Sequence, residues 1–259
     1  MHSPGPSLPI FVIAFASDKM RRDRMTRRLD ALGLAFSFID AIDGRALPEA
    51  ERLAKEDPAR ADWIGHHLRP GALGCLLSHR QAWQALLDSG AELGLVLEDD
   101  AVLDAALPTV LDRLSQLADR LDLVNLHHFS GRPLEPVLPL TDQHSLALTR
   151  YNEIGAEACL VSATAARQLL ARSLPARFEV DLLINRWWEH GLQVLTLCPP
   201  VADQDDTPSQ IGYQQAPPPI TGDGPGRQLK RRWNRGADSF QKRRHFARHK
   251  AAITARLTR

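Results

Sequence analysis

The chain has 259 residues, 44% hydrophobic and 24% charged, with a formal net charge of +1. That length and balance suit one large α/β domain or two small ones with a sizeable core, and they exclude a disordered chain. Three widely spaced cysteines (Cys75, Cys159 and Cys198) fit neither a disulfide framework nor a CxxC zinc pattern, and no run reaches the roughly 18 apolar residues of a membrane span. A reduced, cytoplasmic setting is the expectation, soluble or peripheral to a membrane.

The small net charge hides an asymmetry. Twelve of the 32 Lys and Arg lie in residues 227–259, against one of the 31 acids, Asp238. The first 226 residues therefore carry a net charge of −10, and an acidic body is joined to a basic end.

Pro9–Phe15 reads as a buried strand. It lacks the basic residue that would precede a signal-peptide core, and prolines stand there instead. Ser17 is placed to cap a helix carrying Met25, Leu29 and Leu32 and ended by Gly33. Lys19, Arg21, Arg22 and Arg24 crowd its first turns, where cations oppose the macrodipole. They form either a solvated basic face or a seat for an anion. Ala35–Ile39 alternates like a second strand and runs into Asp40, Asp43 and Gly44, completing a βαβ unit of nucleotide-binding type. Asp43 is then either a turn residue or an acceptor for a ribose or base.

Pro48–His67 reads as polar helix and loop, and His66 with His67 makes a metal pair only in name. The spacing predicts a helix from about Arg69 to Leu87, stopped at Ser89–Gly90, with Gly74, Cys75 and Ser78 as its small residues and His79 beside its buried side. The next stretch, Leu93 to Val102, organises the chain. A short apolar run ends in Glu98, Asp99 and Asp100 and then turns apolar again. Such runs read as buried strands, and ligands collect at strand carboxyl ends in open sheets. Three adjacent carboxylates repel one another, and Mg²⁺ or Mn²⁺ with oxygen ligands is the usual resolution. Glu98 and Asp100 share one face of an extended backbone and form the expected metal seat.

Leu107–Leu117 is expected to be a helix, Asp122–Phe129 a strand, and Ser130–Pro139 a loop with three prolines. His127 and His128 face opposite sides of that strand, so one could reach the site. Tyr151–Ser162 reads as a strand, Ser162 as the cap of a helix, and Phe178–Trp188 as a second helix. Asp181 is either an N-cap or a general base held at a helix start. Gln193–Leu197 is the last strand, followed by a second acidic cluster at Asp203, Asp205 and Asp206. Residues 214–226 read as a Pro/Gly linker between a catalytic domain of residues 1–213 and a basic tail of residues 227–259. On a helix through that tail Leu229, Trp233 and Phe240 share a face, which suits an anionic membrane surface.

Gly71–His79 followed by Trp83 and Val96–Val102, with Gly155–Ser162 and Val180–Leu182 further on, resembles the signature of glycosyltransferase family 25, from about residue 9 to 206. The resemblance implies a GT-A-like α/β fold, mostly parallel in its central sheet with helices on both faces, to which the residues beyond it add a basic C-terminal helical tail. It also implies a UDP-sugar donor, a Mn²⁺ or Mg²⁺ cofactor and a lipooligosaccharide or related glycan acceptor. Carried onto this chain, it makes Glu98 and Asp100 the metal ligands, and Arg21, Asp43, Gly44, Ser78, His79 and Asp99 the donor-side residues. Asp181 is the position expected for the base of an inverting transfer. Where family members commonly have Asn after the first-strand Ile, this chain has Ala14. The expected enzyme acts peripherally at the cytoplasmic face of the inner membrane. A metal-dependent nucleotide-sugar hydrolase is the first alternative. A nucleic-acid-binding protein acting through its tail is the second, and the charge of the body argues against it.

Overall fold

Five apolar residues in extended conformation, Ile10–Ala14, form β1, the second strand from one edge of the sheet that orders the molecule. The computed structural model describes residues 8–129, 131–151, 153–205, 216–220 and 224–257. After β1 come helix α1 (Lys19–Ala31), β2 (Ser37–Asp40), the short helices α2 (Glu49–Ala54) and α3 (Arg60–Trp63), and the long α4 (Pro70–Ser89). Then follow β3 (Leu93–Glu98), β4 (Ala101–Leu103), α5 (Leu107–Ser115), β5 (Leu123–Asn125), β6 (Glu135–Pro139), β7 (Ser145–Leu148) and β8 (Ala158–Ser162). The chain closes with α6 (Ala163–Arg172), α7 (Val180–Ile184), α8 (Trp187–His190), β9 (Val194–Cys198), β10 (Ala202–Gln204) and α9 (Pro225–Leu257).

Eight strands form one sheet in the order β2-β1-β3-β8-β5-β9-β7-β6, and β10 pairs with β4 beside it. β1 runs parallel to β2 and β3, and β5 parallel to β9, while β8 and β7 are antiparallel to their neighbours. The sheet is therefore mixed, with two reversed strands among eight. Every residue of β1 and β8 is buried. Because successive side chains point to opposite faces, both faces of the sheet are covered at these strands.

Several local expectations change for identifiable reasons. The cap of α1 is Asp18 rather than Ser17, its carboxylate accepting from the Arg21 N–H at 3.1 Å. The proline-rich stretch after Gly131 is not all loop: Glu135–Pro139 is a strand, tolerated because it lies at the sheet's edge. Extended pairing in the 151–162 stretch begins only at Ala158, since Gly155 sits at φ +91°. The expected helix over Phe178–Trp188 is two pieces, broken at Asn185–Arg186. Strand β7 and the β4–β10 pair had no sequence expectation at all. Part of the expected linker (214, 215 and 221–223) and Asp206 lie outside the described residues.

Helix α9 lies against α3, α8 and β6. Phe246, Ile253 and Leu257 bury against the body, and His249 stacks on Trp187 with ring centroids 4.4 Å apart. Burial pushes both His249 and His190 down to about 4. A histidine whose pKa is depressed by folding stabilises the fold fully above its unfolded value of about 6.5, and that contribution is lost as pH falls toward the folded value. Between pH 7 and 5 the wild type should therefore lose stability relative to His249→Phe, read as a converging or crossing pair of urea midpoints. Parallel pH dependences in the two proteins would contradict this.

Candidate functional site

The parallel strands β1, β2 and β3 end together, Ala14 opposite Asp40 and Ile13 opposite Glu98. Antiparallel β8 starts where β3 stops, and the Glu98 N–H donates to the Glu157 carbonyl at 2.8 Å. Three strand exits and one strand entry thus open on a single cavity of about 320 Å³. It is lined by Arg21, Asp43, Gly44, Ser78, Glu98, Asp99, Asp100 and Asp181, all of them expected from the sequence, together with Glu157, Glu179, Phe129 and Gln204. His79 stands one layer behind, its Nε2 3.0 Å from Glu98 Oε1.

Close backbone contact brings the far-apart pieces together. A Cβ at Gly44 would lie 1.8 Å from the Pro70 carbonyl oxygen, and one at Gly74 would lie 2.4 Å from the Ile42 carbonyl oxygen. Only glycine at both positions lets the loop after β2 rest on the first turns of α4. Ser78 then ties the two, accepting from the Ile42 N–H at 2.8 Å and donating to the Gly74 carbonyl at 2.7 Å. In this structure Ser78 and Gly44 build the cavity wall. Asp43 lies at the rim and accepts from the Arg45 side chain and N–H at 2.8 and 2.9 Å, which holds its carboxyl below the usual range.

The arginines of α1 serve the acidic centre. Arg21, buried, meets Asp99 Oδ1 at 2.5 Å. Arg24 and Arg28 both reach Asp205 at 3.2 Å and also donate to the Asp99 and Ala101 carbonyls. Of the basic first turns, Arg21 and Arg24 thus meet internal carboxylates, while Arg22 pairs with the exposed Asp40. Among the described residues of the second acidic stretch, Asp205 pairs with Arg24 and Arg28, Asp203 is exposed and caps the N–H of its neighbour, and Gln204 lines the cavity.

The carboxylates differ in their surroundings. Burial, then the charge of Glu98, push Asp100 up to about 6 and Glu157 up to about 9. Burial would raise Glu98 too, but the hydrogen bond and charge of His79 bring it below its ordinary value. Burial raises Asp99 against the opposing bond from Arg21. Asp181, in the first turn of α7, is raised by burial despite accepting from the Leu182 and Gly155 N–H groups at 2.8 and 3.4 Å. Glu157, the most strongly raised of these carboxyls, fell inside the expected strand Tyr151–Ser162 and the family-like block Gly155–Ser162, but no role was assigned to it there.

A hard divalent cation fits this donor set. Asp100 Oδ1 and Glu157 Oε2 are buried without a hydrogen-bond partner, and both residues line the cavity. Cys75, His79 and Glu98 also bring ligating atoms within 4.8 Å of one another. Burial and the Glu98 charge raise the Cys75 thiol well above its usual value, which disfavours a thiolate ligand, and His79 Nε2 is used on Glu98. Oxygen donors are what remains, as Mg²⁺ or Mn²⁺ prefers.

The histidine pairs do not enter the site. His127 packs behind Glu157, 3.8 Å from its Oε2, and His128 pairs with Glu153 at 3.0 Å. His66 Nδ1 donates to the His67 carbonyl at 2.8 Å, and His67 bonds Glu56 at 2.8 Å.

A cavity lined with carboxylates at the carboxyl ends of parallel strands defines an α/β domain of the ligand-binding kind. The chain belongs to glycosyltransferase family 25 (LPS biosynthesis protein), whose profile matches residues 7–184. It is similar to procollagen galactosyltransferase 1 of Danio rerio, 36% identical over 111 residues, which are 41% of this chain and 18% of that protein. Procollagen galactosyltransferase 1-B of Xenopus laevis is 31% identical over 183 residues, 66% of this chain and 30% of that one. Inactive glycosyltransferase 25 family member 3 of Mus musculus is 29% identical over 215 residues, 74% of this chain and 36% of that one. The matches span between 18% and 36% of the length of these relatives.

Removing Arg21 leaves a buried carboxylate beside other carboxylates. Arg21→Met should destabilise the fold by about 3–5 kcal/mol, and Asp99→Asn in the same chain should restore most of the loss. Additive effects in a denaturant double-mutant cycle would show that the pair is not coupled.

Proposed function

We propose that this chain is a metal-dependent glycosyltransferase of GT-A-like build. In this reading it moves a hexose, galactose, from its UDP form onto a hydroxyl of a lipooligosaccharide, lipopolysaccharide or related glycan, with inversion. The observation that carries the reading is the gathering of Glu98, Asp99, Asp100, Glu157 and Asp181 around one cavity, with one Asp100 oxygen buried without a hydrogen-bond partner. The family and its galactosyltransferase members support the chemistry.

Glu98 and Asp100 are the residues to hold Mn²⁺ or Mg²⁺. A bound divalent ion offsets the repulsion between these carboxylates and a diphosphate, and stabilises negative charge on the leaving group. His79 fixes the orientation of the Glu98 carboxylate, as outer partners of metal ligands do. Arg21 and Asp99 position the donor phosphates, and Asp43 and Gly44 shape the rim for the nucleoside. Asp181, with a carboxyl raised by burial, takes the proton of the acceptor hydroxyl. That oxygen bonds the anomeric carbon as the bond from that carbon to the phosphate oxygen breaks and UDP departs. Catalysis belongs to residues 1–213 in this reading. The acceptor is carried on a membrane lipid, with the enzyme peripheral at the cytoplasmic face of the inner membrane.

The test supplies UDP-galactose and Mn²⁺ with and without a lipooligosaccharide acceptor, and follows UDP release and the product's anomeric configuration. Transfer should require acceptor and cation, and Asp181→Asn should lower kcat by roughly 100-fold or more with little change in donor KM. Free sugar released equally without acceptor would make the protein a hydrolase. Retained configuration would remove the direct displacement.

A further inference from the structure

Helix α9 has two unlike faces. The inward face is fully used: Phe246, Ile253 and Leu257 are buried, Arg231 donates to the Ala61 carbonyl, Lys250 pairs with Glu135, and Arg256 pairs with Asp122. Even the helix's single acid is turned inward, Asp238 taking Arg186 at 2.8 Å and the Trp188 indole N–H at 3.3 Å. The outward face is the reverse. Leu229, Trp233 and Phe240 are 69%, 77% and 63% exposed. At helical spacing they fall in one line, extended by exposed Ala247 and Ala251. Exposed Arg232, Arg243, Arg244 and Arg248 border that line with no acid among them. A 33-residue helix is about 50 Å long, so this is a continuous ridge rather than a scattered set of side chains.

Large aromatics are rarely left this exposed along one line, and an apolar stripe rimmed by cations matches a surface that is apolar below and anionic above. We propose that the outward face of α9 docks the whole protein on an anionic lipid bilayer. Leu229, Trp233 and Phe240 enter the boundary between headgroups and acyl chains, and the bordering arginines meet lipid phosphates. The indole suits that boundary, with an apolar body and one polar N–H. A nucleic acid would use the arginines but leave the ordered Leu229–Trp233–Phe240 line without a role. No helix among the described residues is long and apolar enough to cross a membrane, so the contact is peripheral. The inference extends the acceptor setting above, and its test reads binding without transfer, so either can fail alone.

Deleting α9 would strip Phe246, Ile253 and Leu257 from the core, so point substitutions on the outward face are the right probes. The full chain is sedimented with vesicles of phosphatidylcholine alone or mixed with phosphatidylglycerol, alongside Trp233→Ser/Phe240→Ser and Arg243→Glu/Arg244→Glu. Wild type should bind the mixed vesicles and not the neutral ones. Each double variant should bind them roughly tenfold more weakly while keeping the wild-type melting temperature. Tryptophan emission should shift to the blue on binding, and Trp233→Ser should abolish most of that shift. Equal binding by wild type and both variants, or none by wild type, would overturn the proposal. Duplex DNA binding that is tighter than vesicle binding and indifferent to Trp233→Ser/Phe240→Ser would reassign the face to nucleic acid.

Discussion

Mutual repulsion among buried carboxylates is the constraint around which this molecule is arranged. Glu98, Asp99, Asp100, Glu157 and Asp181 line one cavity in a setting where like charges interact far more strongly than in water. Each is managed differently. Asp99 is held by Arg21, Glu98 by His79, and Asp181 by two backbone N–H groups, while burial and the charge of Glu98 push the Glu157 carboxyl well up. Asp100 takes a hydrogen bond from Gln204 on one oxygen and leaves the other without a partner. Such a cluster is costly to build and makes physical sense where positive charge arrives with the ligand.

The sheet supplies the geometry and α4 the precision. Parallel pairing of β1, β2 and β3 delivers three chain exits at one level, and reversed β8 brings Glu157 back to the same place. The glycine contact between the β2 exit and α4 fixes the wall opposite Glu98, where Cys75, Ser78 and His79 are one helix face of α4. A side chain at Gly44 or Gly74 would push that wall away from the carboxylates by backbone collision, which no rotamer change relieves. The arginines of α1 brace the loop after β3 from behind. Stability and site are therefore the same set of contacts on this side of the molecule.

Much of this was legible in the sequence because the signals were local and strong. An apolar run ending in Glu98, Asp99 and Asp100 reads as a strand with a metal seat or a solvated acidic turn at its end, and the glycines and Ser78 of α4 stand at helical spacing. The first βαβ unit follows from its alternation and turn residues. What escaped notice depended on tertiary partners. Glu157 enters the site only because β8 runs against β3, a pairing with no trace in the local pattern. Pro136 and Pro139 hid an edge strand, and the three-residue β4 and β10 are too short to show periodicity. The basic first turns of α1 read equally well as solvated or anion-binding, and only the fold shows Asp99, Asp205 and the exposed Asp40 as their partners. Composition marked the C-terminal segment as basic, yet its inward face and its turned-in Asp238 belong to the packing.

The central claim is that the acidic cavity takes a nucleoside diphosphate together with a divalent cation. Isothermal titration of UDP with and without Mn²⁺, on the wild type and on Asp100→Asn, tests it most directly. The account predicts binding by the wild type that requires Mn²⁺ and is lost in Asp100→Asn, which removes one charge while conserving shape. Binding of UDP that is equal in all four titrations, or absent from all four, would contradict it.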